Sequence, residues 1–322
     1  MKKVFALVLA LCMVLSCSAV LAEDKPIVGI IQLVDHSALN DARDGFIRAL
    51  TDNGFVDGEN FVLDYQNGQG DQSNLSTIAD QFVAENAALV LAIATPAAVT
   101  MAGKTTEIPI LGTAITDYVS ARLVESNEKP GWNISGTSDM NPVAEQIALL
   151  KELVPDAKTV GVLYNSGEAN SVLQAAMAKE AVEALGMQYT EITVSTTNDV
   201  QQAVQKIAGQ CDALYLPTDN VISSSMPIIY GAAVENKLPV ICGEPNQVKN
   251  GGMATLGISY DAIGYQTGLM AIEILNGADI AEMPIQFANN GFEYAFNKTF
   301  FDEIGLEIPE QYAQFAFEME AQ

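Results

Sequence analysis

Polar residues able to grip a small molecule recur at set places in this chain, each directly after an apolar, β-branched run. Asp35-His36-Ser37 follows the first run, Gln66-Asn67 the second, Thr95-Pro96-Ala97 the third and Thr113-Ala114-Ile115-Thr116-Asp117 the fourth. Asn165-Ser166-Gly167-Glu168-Ala169-Asn170-Ser171, Thr218-Asp219-Asn220 and Gly243-Glu244 stand in the same relation to later runs. Two chemistries are on offer. Thr95 ahead of Pro96 reads as a helix start, whose hydroxyl and free backbone N–H groups favour a carboxylate or phosphate. Thr116 offers a second hydroxyl. Asp219 and Glu244 are acceptors suited to an ammonium group. An anion-friendly half facing a cation-friendly half fits a zwitterion such as an amino acid.

The same inventory is poor in catalytic machinery. His36 is the one histidine in 322 residues, so sites built on paired histidines are excluded. There is no Gly-x-Ser-x-Gly elbow, no Gly-rich phosphate loop and no metal-ligand cluster. A carboxylate pair such as Asp219 with Glu244 is conceivable for an exported α/β hydrolase, but nothing else supports one. No catalytic residue, metal or cofactor is expected.

The elements that carry these residues are legible from periodicity. Strands are expected at Ile27–Leu33, Phe61–Gln66, Leu89–Ala94 and Ile108–Thr113, with helices at Ser37–Asn53 and Ser73–Asn86 and a third opening at Thr95. The scheme then repeats, with strands at Thr159–Tyr164, Met187–Thr193, Ala213–Pro217 and Leu238–Cys242. The helices between are Pro142–Leu153, Glu168–Leu185, Asp199–Ala208 and Ser224–Asn236. Alternating elements with continuous apolar strands imply two doubly wound parallel-sheet α/β lobes. Lys129–Thr137 reads as the crossover between them. A later helix, Asp261–Leu275, and a short tail cross back. The expected division is 23–138 plus about 258–284 for the first lobe, and 139–257 plus about 285–322 for the second. Ligands bind beyond the carboxyl ends of strands in open α/β sheets, so both lobes present their polar residues to one shared cleft.

Lys2 and Lys3 precede an apolar run from Val4 to Leu15, the layout of a secretory signal over residues 1–22 and too short for a membrane span. Val20-Leu21-Ala22 suits an ordinary signal-peptidase cut before Glu23. Val14-Leu15-Ser16-Cys17 offers the alternative, a lipobox with Cys17 lipidated. Either way the protein is expected to be exported, periplasmic or at the cell surface, and monomeric. The chain carries 15 Lys+Arg against 40 Asp+Glu, a charge of −25; losing Lys2 and Lys3 leaves 13 against 40, or −27. That acid excess argues against nucleic acid and anionic membrane surfaces as partners. At 49% hydrophobic residues the chain can fill large cores. Cys211 and Cys242 remain after processing. On neighbouring parallel strands they would lie at opposite ends, roughly 13 Å apart at about 3.3 Å per residue, so two free, largely buried thiols are expected.

Four segments together resemble one family. Ile93-Ala94-Thr95-Pro96-Ala97-Ala98, Gly136-Thr137-Ser138-Asp139, Gly161 through Ser171 and Leu216-Pro217-Thr218-Asp219-Asn220 are similar to the ABC-transporter solute-binding proteins of the tryptophan/tyrosine-binding lipoprotein type. The resemblance implies a type I periplasmic-binding fold with three crossovers, closing on a small solute that an ABC permease takes up. It implies an aromatic or hydrophobic amino acid as that solute, with a nucleoside, a sugar, or a sensing role as the alternatives. Thr95, Thr116, Ser166, Asn170, Asp219, Asn220 and Glu244 fall where the family builds its pocket; Ala97 and Asp117 complete the candidate set. Gln32, His36, Asn67, Glu168 and Tyr260 are the candidate rim. Tyr118 stands where the family usually has proline and is expected to reshape the pocket. Trp132 stands where glycine is common and is expected to pack at the crossover.

Overall fold

A computed structural model describes residues 25–319. Cys17 and the bond after Ala22, the two expected processing sites, lie outside the described residues. The chain opens with β1 (Ile27–Gln32), α1 (Ser37–Asp52), β2 (Val62–Asn67), α2 (Gln72–Ala84), β3 (Leu89–Ile93), α3 (Thr95–Ala102), β4 (Ile110–Ile115) and β5 (Ile134–Ser138). It continues through α4 (Val143–Leu153), β6 (Thr159–Asn165), α5 (Ala169–Ala184), β7 (Gln188–Val194), α6 (Thr197–Ala208) and β8 (Ala213–Leu216). Then come α7 (Asn220–Ser223), α8 (Met226–Glu235), β9 (Val240–Cys242), α9 (Pro245–Lys249) and β10 (Ala254–Gly257). The last part holds α10 (Tyr260–Leu275), β11 (Gln286–Phe287), β12 (Glu293–Asn297), α11 (Lys298–Ile304) and β13 (Ala316–Phe317).

Two sheets organise these elements. The first runs β11-β5-β4-β3-β1-β2 and is parallel throughout. The second runs β13-β12-β10-β9-β8-β6-β7, and in it β12 lies antiparallel to β10. The reversal has a topological cause. β10 runs toward the junction of the lobes and leaves the sheet there, whereas β12 enters from that junction and runs away from it. Each sheet has its own core, one built around Ile30, Leu91 and Phe46 and the other around Val162, Leu214 and Phe296. The chain passes between sheets three times, after Ser138, after Gly257 and after Phe287. This is the type I periplasmic-binding architecture.

Two features differ from the periodicity reading. β5, Ile-Ser-Gly-Thr-Ser, falls inside the stretch expected to be a crossover. Its small polar residues give no apolar run, yet every one is buried because β4 and β11 flank it. The second difference is the third crossing, which falls later than about 284, since β11 still pairs with β5 at Gln286↔Thr137.

Close helix packing fixes α1. Its apolar face, Ala38, Leu39, Ala42, Phe46, Ala49 and Leu50, recurs at helical spacing. α10 crosses this face through glycines: a Cβ on Gly264 would lie 1.9 Å from the Ala42 carbonyl oxygen, and one on Gly45 would lie 2.1 Å from that of Asp261. No larger residue fits there without separating the helices. Cys242 is buried and Cys211 half-buried, both as free thiols. No helix among the described residues is long and apolar enough to cross a membrane.

Candidate functional site

The carboxyl ends of the strands in both lobes face one another across a narrow cavity of about 20 Å³. The first lobe contributes His36, Ala38, Leu39 and Ala114; the crossings contribute Asp139 and Tyr260. The second lobe contributes Asn170, Thr218, Asp219, Asn220, Ser223 and Glu244. None of these is Lys or Arg. Three are carboxylates.

Local structure explains how each carboxylate is held. Asp219 is the N-cap of α7; its Oδ1 accepts from the Ile222 N–H at 2.9 Å and its Oδ2 from the Asn165 N–H at 2.6 Å. Glu244 caps α9 in the same way, accepting from the N–H groups of Asn246 at 2.5 Å and Gln247 at 2.8 Å. Asp139 follows β5 at the first crossing, where its Oδ2 accepts the Tyr260 hydroxyl at 2.6 Å. Its Oδ1 is buried and has no partner in hydrogen-bonding geometry, although the Thr116 hydroxyl lies close enough to the carboxylate to pull it down against burial. Asn170 Oδ1 and His36 Nδ1 are likewise buried without partners. Unpaired acceptors in so tight a space call for a donor.

Burial sets the electrostatics. It pushes Glu244 up to about 8, against the pull of the two N–H groups it accepts from. It also raises Asp139, and it raises Asp219, with the neighbouring charge of Glu168 adding to the effect on Asp219. Desolvation lowers His36, so its ring is neutral at neutral pH. The cavity therefore holds acids whose charged form burial disfavours and a neighbouring cation would favour.

The backbone of the first lobe is strained beside the cavity. Ala114 has φ +55° where the β4–β5 register shifts, and Ala94, the residue before α3, has φ +82°. Side-chain-bearing residues rarely adopt such angles, and they concentrate at ligand sites.

Asn170, Asp219, Asn220 and Glu244 from the candidate set, with His36 and Tyr260 from the candidate rim, line the cavity. Thr116 stands one step behind it, bonded to Gln174 Nε2 at 3.2 Å. Ser166 and Glu168 line a wider outer cleft together with Pro96 and Asn220. The structure does not bring Thr95, Ala97, Asp117, Gln32 or Asn67 to the cavity wall. Thr95 and Ala97 are buried at the start of α3. Asp117 instead caps a turn, accepting from Ser120 N–H at 2.6 Å, and Gln32 Nε2 donates to Val34 O and Asn40 Oδ1. Asn67 accepts from the Gln69 N–H in a loop. Tyr118 does not shape the cavity either. It is fully buried in the first lobe, over Gly112 and Gly136, and donates to Thr137 O at 3.1 Å. Trp132 is 48% exposed, away from the cleft, so it is neither crossover core nor cavity wall.

Asp139, Thr218 and Ser223 are polar wall residues outside the candidate set. Asp139 directly follows β5, whose small polar residues give periodicity no apolar run to register. Among the described residues no group of acids, His or Cys has a metal-binding arrangement.

The lobes touch across the cleft. His36 Nε2 lies 3.1 Å from Asn220 Oδ1, and Asn246 Nδ2 donates to Asp41 Oδ2 at 2.7 Å.

Comparison with known proteins agrees with this geometry. The chain is 43% identical over 258 residues to the tyrosine-binding protein of Clostridioides difficile, covering 80% of this chain and 75% of the relative. A domain from Streptococcus pneumoniae solved with L-Trp matches with a TM-score of 0.87 at 34% identity, over 92% of this chain and 99% of that one. A ligand-free, open substrate-binding protein from Clostridium difficile matches with a TM-score of 0.71 at 42% identity, over 92% and 100%. The lobe arrangement is thus nearer the tryptophan complex than the open form, although the open protein is closer in sequence. Relatives of this kind are solute-binding proteins rather than enzymes; they work outside the cytoplasm and deliver a small molecule to an ABC permease. The family model described as ABC transporter substrate binding protein matches residues 27–320, and the chain belongs to that family.

Proposed function

We propose that this protein closes its two lobes on one aromatic amino acid and hands it to an ABC permease at the outer face of the membrane. The observation that carries the reading is the cation-free cavity in which Asp139 Oδ1 is buried and unpartnered beside Asp219 and Glu244. An α-ammonium group there satisfies the orphan acceptor and turns three desolvated acids from a cost into an attraction. Asn170, Asn220 and Tyr260 surround that group. Ser166 and Glu168 stand on the entry path. The tyrosine- and tryptophan-binding relatives support an aromatic side chain. Export by the signal segment, with or without lipidation of Cys17, places the protein where such a permease is reached.

A thermal-shift panel of the twenty amino acids, nucleosides and small sugars tests this. A ligand at 100 times its Kd stabilises the folded state by about 2.7 kcal/mol. Tyrosine or tryptophan is expected to raise the melting temperature most. A shift from a nucleoside or sugar with none from any amino acid would overturn the assignment.

A further inference from the structure

We infer that Asn246 and Asn250 of the second lobe, with Asp41 and Ser37 of the first, form a latch that sets how tightly the closed cavity holds its occupant without touching it. The inference rests on the lobe closure proposed above. Asn246 Nδ2 donates to Asp41 Oδ2 at 2.7 Å, and Asn250 Nδ2 donates to Ser37 Oγ at 2.7 Å. Ser37 and Asp41 are four residues apart on their lobe, as are Asn246 and Asn250 on theirs, so one face of α1 meets one face of the α9 segment with two matched bonds. None of the four residues lines the cavity.

The latch is joined to the cavity at one end and to a rigid frame at the other. The Asn246 backbone N–H donates to Glu244, the cavity carboxylate that caps α9, and Asn250 Nδ2 also donates to Asn246 O at 2.7 Å. A charge drawn to Glu244 therefore fixes the turn that carries both asparagines. On the other side, Asp41 and Ser37 sit on α1, which the contacts at Gly45 and Gly264 lock against α10. Neither pair survives lobe separation, and once the lobes part water serves both partners. Their loss therefore falls on the closed state alone, and the apparent Kd rises as the closed fraction falls.

The test uses the full mature chain and the variants Asp41→Ala, Ser37→Ala and their double, titrated with L-tyrosine and L-tryptophan and followed by stopped flow. The double variant is expected to bind at least tenfold more weakly, with the change in koff and kon nearly unaltered. Asp41→Asn keeps a side-chain carbonyl for Asn246 and is expected to restore most of the affinity lost in Asp41→Ala, which a merely structural role for Asp41 would not require. Wild-type binding with a double variant within twofold of it overturns the latch and leaves the proposed function standing. If the wild type binds neither amino acid, small-angle scattering of the ligand-free proteins decides: the latch requires a larger radius of gyration in the double variant, and identical curves overturn it.

Discussion

Replacing Asp139 by asparagine isolates the contribution of one carboxylate to ligand capture. The side chain keeps its size, and its amide carbonyl can still accept the Tyr260 hydroxyl that now sits 2.6 Å from Oδ2. The amide NH2 then takes the place of the orphan Oδ1, so an acceptor becomes a donor facing the ligand's ammonium. A hydrogen bond to a charged group contributes about 1.5–3 kcal/mol. A unit-charge pair at about 4 Å adds about 4 kcal/mol at an effective dielectric of 20. The desolvation that raises Asp139 in the empty cavity offsets part of that sum. A net loss of about 3 kcal/mol corresponds to about 10²-fold in Kd. Ligand-free stability moves the other way or not at all, because the variant removes a buried acid with an unpartnered oxygen. Titration calorimetry at neutral pH measures the first quantity and ligand-free melting the second. A Kd within threefold of wild type would refute the role of Asp139 as ammonium partner. A large fall in ligand-free melting temperature would show that Asp139 is structural instead.

Three further outcomes follow from the geometry. Burial holds Glu244 near 8 in the empty cavity against an ordinary carboxylate value in the unfolded chain, so the folded state binds the extra proton between those values. Ligand-free stability therefore falls as pH rises through that window, and Glu244→Gln flattens the slope in a melting series; an unchanged slope removes Glu244 as its source. Gly264→Ala forces α1 and α10 apart and is expected to cost about 1–3 kcal/mol in urea unfolding, where an unaltered midpoint would show that the helices yield freely. Tyr118→Phe loses the bond to Thr137 O, costing about 1 kcal/mol of stability, and leaves ligand affinity unchanged. A weakened affinity would return Tyr118 to the pocket.

The sequence made the fold legible where apolar runs were long. β1, β3, β4, β6 and β8 are buried on both faces and read directly as strands of parallel sheets. β5 was hidden because its residues are small and polar, and its strand state comes from neighbours distant in sequence. That one omission also concealed Asp139. The second-lobe site residues were legible because Asp219 and Glu244 are both helix caps at strand ends, a local pattern. Thr95 and Asp117 also follow strands, but Thr95 lies inside α3, whose N-cap is Ala94, with Ala97 buried one half-turn on, and Asp117 closes a turn on the Ser120 N–H. Tyr118 likewise turns inward: its hydroxyl finds Thr137 O within its own lobe, over two glycines that leave room for the ring.

The central claim is that an ammonium group recruits the buried carboxylates. Titration calorimetry of the mature protein with L-tyrosine and with 3-(4-hydroxyphenyl)propionate, which lacks only the amine, tests it most directly. The account predicts binding of tyrosine and a loss of at least 10²-fold for the deaminated analogue. Equal affinity for the two would contradict it.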